Sequence, residues 1–291
     1  MKILVLALLS MAACVQNDRI GSAKNPIHIS MVPSKDTTSL LLGAKEMTDW
    51  LEKETGYKYE VSIPASYVAV VEAMGSKKVD VAYLNTATYL MAREKYGVEP
   101  QFITTNIDGG THYKGQFITR IDSKIKSLKD IDGKKMAYVD PTSASGFILP
   151  AYQLKTLGIK PKEEVFAGRH DAVVTMVYQK QVDAGATFYA LPEGGKIRDA
   201  RHLVEAQFPD VEEKISVLDY TIPLANDAFV FRKEIPSDMK KKVHDALAKW
   251  AASPEGKITL KKLSNASGLK PATHSDYEES EKILKAMTPS L

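Results

Sequence analysis

Cysteine is almost missing from this chain. Its 291 residues contain one, Cys14, so no disulfide framework and no cysteine-built metal site can form within it. An excess of charge of one sign is missing too. Lys and Arg total 39 against 36 Asp and Glu, a net charge of +3, and that balance argues against nucleic-acid binding by bulk electrostatics. No C2H2 spacing, basic arm or RNP-like aromatic run is present. The six histidines form no H-E-x-x-H and no paired His/carboxylate spacing, which argues against a metal-dependent enzyme. A G-x-S-x-G elbow is also absent.

What is present is ordinary in bulk and specific in place. Hydrophobic residues make up 44% and charged residues 26%, a soluble globular composition with length enough for one large or two modest domains. Lys2 precedes the apolar run Ile3 to Leu9 and then Ser10-Met11-Ala12-Ala13-Cys14. A charged start, a short apolar core and small residues before a cut site describe a secretory signal, too short for a permanent membrane helix. The stretch resembles a bacterial lipobox, with Met11 in place of the more usual leucine. The expectation is a signal peptide over 1–13, lipidation of Cys14 as the only membrane attachment, and a flexible tether over 14–25.

The rest alternates between strand and helix patterns. Residues 27–32 and 57–63 read as strands, 37–55 as a helix with Leu41, Leu42, Met47, Trp50 and Leu51 at helical spacing, 66–75 as a second helix, and KVDVAYLN as a buried strand. A similar succession runs from 113 to about 189, and the C-terminal part reads as helices over 237–252, 254–265 and 275–288. This predicts an α/β protein of two lobes, each a mostly parallel sheet flanked by helices, with a ligand cleft between them. Lobe 1 is expected over 26–112 and 226–291 and lobe 2 over 113–225. The last helices are expected to pack back on lobe 1.

Residues 140–150 read DPTSASGFILP. Thr142, Ser143 and Ser145 stand where a helix begins. Helix N-termini expose unpaired N–H groups and a partial positive charge, to which hydroxyl donors add. Gly146 offers close backbone approach. Helix capping and oxyanion binding both fit this stretch.

Six ordered segments carry a resemblance: PASYVAVVEAM, KVDVAYLN, YKGQFITRIDSKIKSLKDIDGKK, AYVDPTSASGFILP, AGRHDAVVTMVYQKQVD and IPLANDAFVFRKEIP. Together they are similar to the PhnD-like phosphonate/phosphite/phosphate-binding proteins of bacterial ABC transporters, over roughly residues 27–265. That family implies a type 2 periplasmic-binding-protein fold, a small phosphorus-containing anion as ligand, an ABC permease as partner, a monomer, no cofactor, no metal and no catalysis. The resemblance matches the oxyanion loop to Ser143, Ala144, Ser145 and Gly146. Ala144 lacks the family's middle hydroxyl, for which Thr142 is a candidate substitute. Tyr67, Tyr113 and His170 match donors to the anion. Asp227 matches one acid of an ammonium clamp, whose other position falls at or near Ala190, where no acid stands. Tyr189 is placed to close the pocket on a smaller substituent. Asn85 either caps a helix or lines the cleft. Ser34 is a further candidate donor, although a solvated loop is the simpler reading for it and for Lys35.

Other readings remain beside this one. The same fold can take another small anion or an organic phosphate ester, and a lipoprotein of this fold can serve as a sensor without a permease. A serine hydrolase built on Ser143 or Ser145 with His170 lacks its elbow.

Overall fold

The computed structural model describes residues 19–287. The expected signal peptide, Cys14 and the start of the tether lie outside them. Residues 19–25, expected as tether, are instead folded. The Gly21 N–H donates to the Asn25 carbonyl at 2.7 Å, the Gly21 carbonyl accepts from the Lys58 N–H at 2.8 Å, and Gly21 is buried against the Tyr57 ring.

Two sheets organise the chain. The first holds β1 (Ile27–Met31), β2 (Tyr59–Ser62), β3 (Val81–Leu84), β4 (Glu99–Thr105), β11 (Ala228–Phe231) and β12 (Gly268–Pro271), in the order β12-β4-β11-β3-β1-β2. The second holds β5 (His112–Arg120), β6 (Lys135–Tyr138), β7 (Glu163–Phe166), β8 (Ala184–Tyr189) and β10 (Leu224–Ala225), in the order β10-β5-β8-β6-β7, with β9 (Ile215–Tyr220) pairing to β5. The two-lobed α/β architecture matches expectation. The sheets, however, are mixed rather than mostly parallel. β1 pairs parallel with β2 and β3, and β6 with β7 and β8, whereas β5, β11 and β12 pair antiparallel with their neighbours. β5 and β11 lie at the crossovers, where the chain enters a sheet from the other lobe, whereas β12 follows a helix of its own lobe.

Local chemistry sets the helix ends. Helix α1 (Thr37–Thr55) is capped by Asp36, whose carboxylate accepts from the Ser39 N–H at 2.9 Å, and stops at Gly56, which takes the left-handed φ of 71°. Its buried face is Leu40, Ala44, Met47 and Leu51. Leu41 and Leu42, read from the sequence as part of that face, turn outward and are 40% and 61% exposed. Helices α2 (Tyr67–Gly75), α3 (Thr86–Tyr96), α4 (Leu149–Thr156) and α5 (His170–Tyr178) follow strand ends. A single turn, α6 (Val211–Lys214), precedes β9.

The helices α7 (Ser237–Ala252) and α8 (Pro254–Ser264) pack on α1, burying Trp250 and Leu263. The last helix, α9 (Glu278–Met287), touches α3 in the first lobe and also α4 in the second, so it does not belong to lobe 1 alone. Among the described residues no helix is long and apolar enough to cross a membrane.

The two crossovers are tied together at Asn226. Its N–H donates to the Thr111 carbonyl at 2.8 Å, and its side-chain amide donates to the Thr104 carbonyl at 2.9 Å and to Asn106 Oδ1 at 3.0 Å. The donors of this buried amide are therefore taken up by the end of β4 and the β4–β5 connection.

Candidate functional site

Between the sheets lies a cavity of about 100 Å³, room for several water-sized groups or one small molecule. Several strand-to-helix corners aim at it. Ser34 follows β1, Tyr67 opens α2, Asn85 caps α3, Ser143 and Ser145 open the helix after β6, and His170 opens α5. Tyr113 on β5, Tyr189 at the end of β8 and Asp227 between β10 and β11 complete the wall. Ala190 lines it too, and among the described residues no acidic side chain other than Asp227 does so.

The 142–146 stretch divides its labour. Ser143 Oγ accepts from the Gly146 N–H at 3.1 Å, an N-cap bond, and also faces the cavity. The N–H groups of Ala144 and Ser145 come first in the helix and have no intrahelical acceptor. The opening turn, Ala144–Ile148, is a π-turn, with the Ser143 carbonyl accepting from both Phe147 and Ile148 at 3.0 Å. Pro150 accounts for the break. It has no N–H, and its ring crowds the carbonyl four residues back; that carbonyl, of Gly146, accepts from the Val139 N–H at 3.1 Å instead.

Three expected site residues do not line the cavity. The Thr142 hydroxyl donates to Asp140 Oδ1 at 2.7 Å, and its N–H donates to the same oxygen, so it cannot replace the hydroxyl missing at 144. The Ala144 side chain is buried in the core. Gly146 is glycine for packing rather than for ligand approach, since a Cβ there would stand 2.4 Å from Val139 Cγ2. Ser34 and Lys35, by contrast, line the wall and are not free loop residues.

Electrostatics favour neutral donors. Burial pushes the His170 pKa down to about 3, so the ring is unprotonated near neutrality. Its Nδ1 accepts from the Phe188 N–H at 3.3 Å, which leaves the proton on Nε2 as a donor. The Tyr67 hydroxyl is buried without a hydrogen bond of normal geometry. Burial raises its pKa well above the ordinary value, and the charges of Asp140 and Asp227 add to the shift, while an interaction with Ser143 opposes it. Burial raises Tyr113 as well, again reinforced by Asp227 and opposed by Ser145 and Thr86. Burial lifts the Asp227 carboxyl to about 7, with the Tyr83 hydroxyl opposing the shift. Near neutrality this acid is available as a proton-bearing donor as well as an acceptor.

Two hydrogen bonds, one from a side chain and one between backbones, already bridge the lobes beside the cavity. Asn85 Nδ2 donates to the Thr142 carbonyl at 3.3 Å, and the His170 N–H donates to the Ser34 carbonyl at 2.9 Å. Asn85 both caps α3, accepting from the Thr88 N–H at 2.8 Å, and lines the cleft. Sequence reasoning missed Tyr83, Asn226, His202 and Asn265, which also line the wall. Tyr83, in KVDVAYLN, and Asn226, beside Asp227, stood in segments already singled out; His202 and Asn265 carry no local signal.

Known proteins resemble this chain in sequence and fold. Residues 29–277 match the family model described as the periplasmic substrate-binding protein of a phosphonate ABC transporter. The chain is 30% identical over 241 residues to the phosphate-import protein PhnD of Mycolicibacterium smegmatis, covering 77% of this chain and 74% of that one. It is 23% identical over 222 residues to the phosphonates-binding periplasmic protein of Escherichia coli, covering 73% and 62%. Among solved structures, the methylphosphonate complex of PhnD1 from Prochlorococcus marinus superposes with a TM-score of 0.78 at 17% identity, covering 91% of this chain and 98% of that one. A phosphonate-transporter binding protein from Pseudomonas aeruginosa gives a TM-score of 0.78 at 21% identity, covering 88% and 84%.

Proposed function

Since the chain belongs to the family of phosphonate-binding periplasmic substrate-binding proteins of ABC transporters, we propose that it captures a phosphorus oxyanion or a small phosphonate outside the cytoplasm and delivers it to a permease. It is a binding protein and not an enzyme. The observation that carries the ligand class is the convergence of neutral donors on one inter-lobe cavity: Tyr67, Tyr113, Ser143, Ser145 and the His170 ring. Oriented hydroxyls, a helix start and an imidazole N–H hold a tetrahedral oxyanion by charge-assisted hydrogen bonds, each worth about 1.5–3 kcal/mol. Asp227, facing this set, can give a proton to a fully ionised anion and accept one from a singly protonated anion, whereas sulfate has no proton to give. Closure of the lobes about the Asn226-tied crossovers would exclude water and commit the ligand. Cys14, once lipidated, would keep the receptor at the membrane beside its permease.

The test is titration calorimetry on the full chain carrying Cys14→Ser, freed of carried-over ligand by unfolding and refolding. Phosphate, phosphite, methylphosphonate, 2-aminoethylphosphonate and sulfate form the panel. Micromolar or tighter binding of one phosphorus anion, weakened at least tenfold by Ser145→Ala, supports the reading. Absence of binding to every phosphorus anion sinks it. Globomycin-sensitive processing and palmitate labelling in cells, both lost in Cys14→Ser, test the anchor.

A further inference from the structure

Among the described residues, and apart from the histidines, the cavity wall holds two side chains that carry formal charge, Asp227 and Lys35. Lys35 is half-buried, and its ammonium donates to the Lys262 carbonyl in the last turn of α8. Among the described residues no carboxylate stands within ion-pair distance of it. Burial lowers its pKa to about 8, and attraction to Asp171 offsets only part of that shift. The carboxylates that share its flank of the cleft have other partners, although Asp171 Oδ1 is buried without one. Asp36 caps α1, Glu46 accepts from Thr259 Oγ1 at 2.8 Å, and Asp171 pairs with Arg169 at 3.3 Å. A cation partly removed from water without a counter-ion carries a cost, and an anion brought into the cavity offsets part of it.

The neighbouring wall supplies no competing charge. His202 donates Nδ1–H to the Asp199 carbonyl at 2.8 Å, and burial holds its pKa below the ordinary value, with Arg198 and Lys35 lowering it further. Ala190 contributes no acid, and nearby Glu193 is held in ion pairs by Lys261 and Arg198. An ammonium group on the ligand would therefore meet, in the cavity wall on this flank, a lysine without an ion-pair partner and no acid among the described residues.

We propose that Lys35 sets the class of ligand: the phosphorus head lies among the tyrosines and serines, and the substituent it carries ends in a second anionic group, a carboxylate, that pairs with Lys35. The inference rests on the phosphorus-anion reading above and narrows it to carboxyalkylphosphonates and their phosphate-ester counterparts.

The experiment compares phosphonoacetate, methylphosphonate and 2-aminoethylphosphonate by calorimetry on the full chain carrying Cys14→Ser, with and without Lys35→Met. In the parent, phosphonoacetate should bind at least tenfold more tightly than methylphosphonate, and 2-aminoethylphosphonate should bind most weakly. In Lys35→Met the ratio of the first two affinities should fall to within threefold of unity. Lys35→Arg keeps the charge and should keep most of the ratio, which separates loss of charge from a folding defect. A parent ratio near one overturns the proposal. So does a ratio unchanged by Lys35→Met, which would put the lysine at the phosphorus head. Methylphosphonate or phosphate binding with either of those results leaves the broader reading standing; no binding of any phosphorus compound removes both.

Discussion

The backbone N–H of Phe188 donates to Nδ1 of His170 at 3.3 Å. One bond from β8 thereby decides which ring nitrogen on α5 carries the proton, and it presents Nε2–H to the cleft. Replacing His170 by Ala should weaken anion binding at least tenfold, the loss expected for one charge-assisted hydrogen bond. Nitrogen-15 NMR of the imidazole should show the Nε2–H tautomer from pH 7 down to about pH 4.

The same ring ties stability to acid. Its folded pKa of about 3 lies below the ordinary 6.5. The unfolded chain therefore binds a proton that the native state refuses between these values. The stability it contributes is complete above pH 6.5 and is lost progressively as pH falls toward 3. Thermal melts should show a smaller acid-induced loss for His170→Gln than for the parent over that window.

Asp227 acts in the opposite direction. Its folded pKa is raised to about 7 from the ordinary 3.8, so its contribution is complete below pH 3.8 and is lost as pH rises through 7. The ligand-free melting temperature should fall between pH 6 and 8, and Asp227→Asn should flatten that fall. Calorimetry at pH 8 in buffers of different ionisation enthalpy should detect proton uptake on ligand binding in the parent and less in the variant.

Asn85 joins a helix cap to a lobe contact, through the Thr88 N–H at 2.8 Å and the Thr142 carbonyl at 3.3 Å. Asn85→Ala should cost about 1–2 kcal/mol in urea denaturation. It should also weaken ligand binding several-fold, because one of its bonds favours the closed arrangement.

Gly146 separates packing from ligand approach. Gly146→Ala places a methyl against Val139 and should destabilise by about 1–3 kcal/mol. The double variant with Val139→Ala should regain much of the loss in thermal melts. Independent effects of the two substitutions would place the glycine's role elsewhere.

Much of the fold was legible because its signals are local. Asp36 and Gly56 bound α1, Ser66 and Ser143 accept cap bonds, and the short strand patterns fall where the strands lie. The mixed pairing of the sheets was not legible, since strand patterns state no direction. Nor was the burial of Gly21 on Tyr57, which depends on a strand distant in sequence.

For the site, the sequence by itself determined the donors: hydroxyls at 143 and 145 at a helix start, and tyrosine, histidine and aspartate in ordered segments. The folded structure decided which of them remain free, through the local turn at Asp140 for Thr142 and through tertiary contacts for the others. Thr142 and Ser143 have similar chemistry, yet Asp140 engages the Thr142 hydroxyl while Ser143 faces the cavity. Asn226 and Asp227 are neighbours, yet the amide is spent on the crossovers while the acid faces the cleft. Lys35 is one lysine among many in the sequence, and only packing shows that it is half-buried with no ion-pair partner among the described residues. The physical reason is common to all three. A side chain's type fixes what it can bind, but whether that capacity is already consumed depends on partners brought together by the fold.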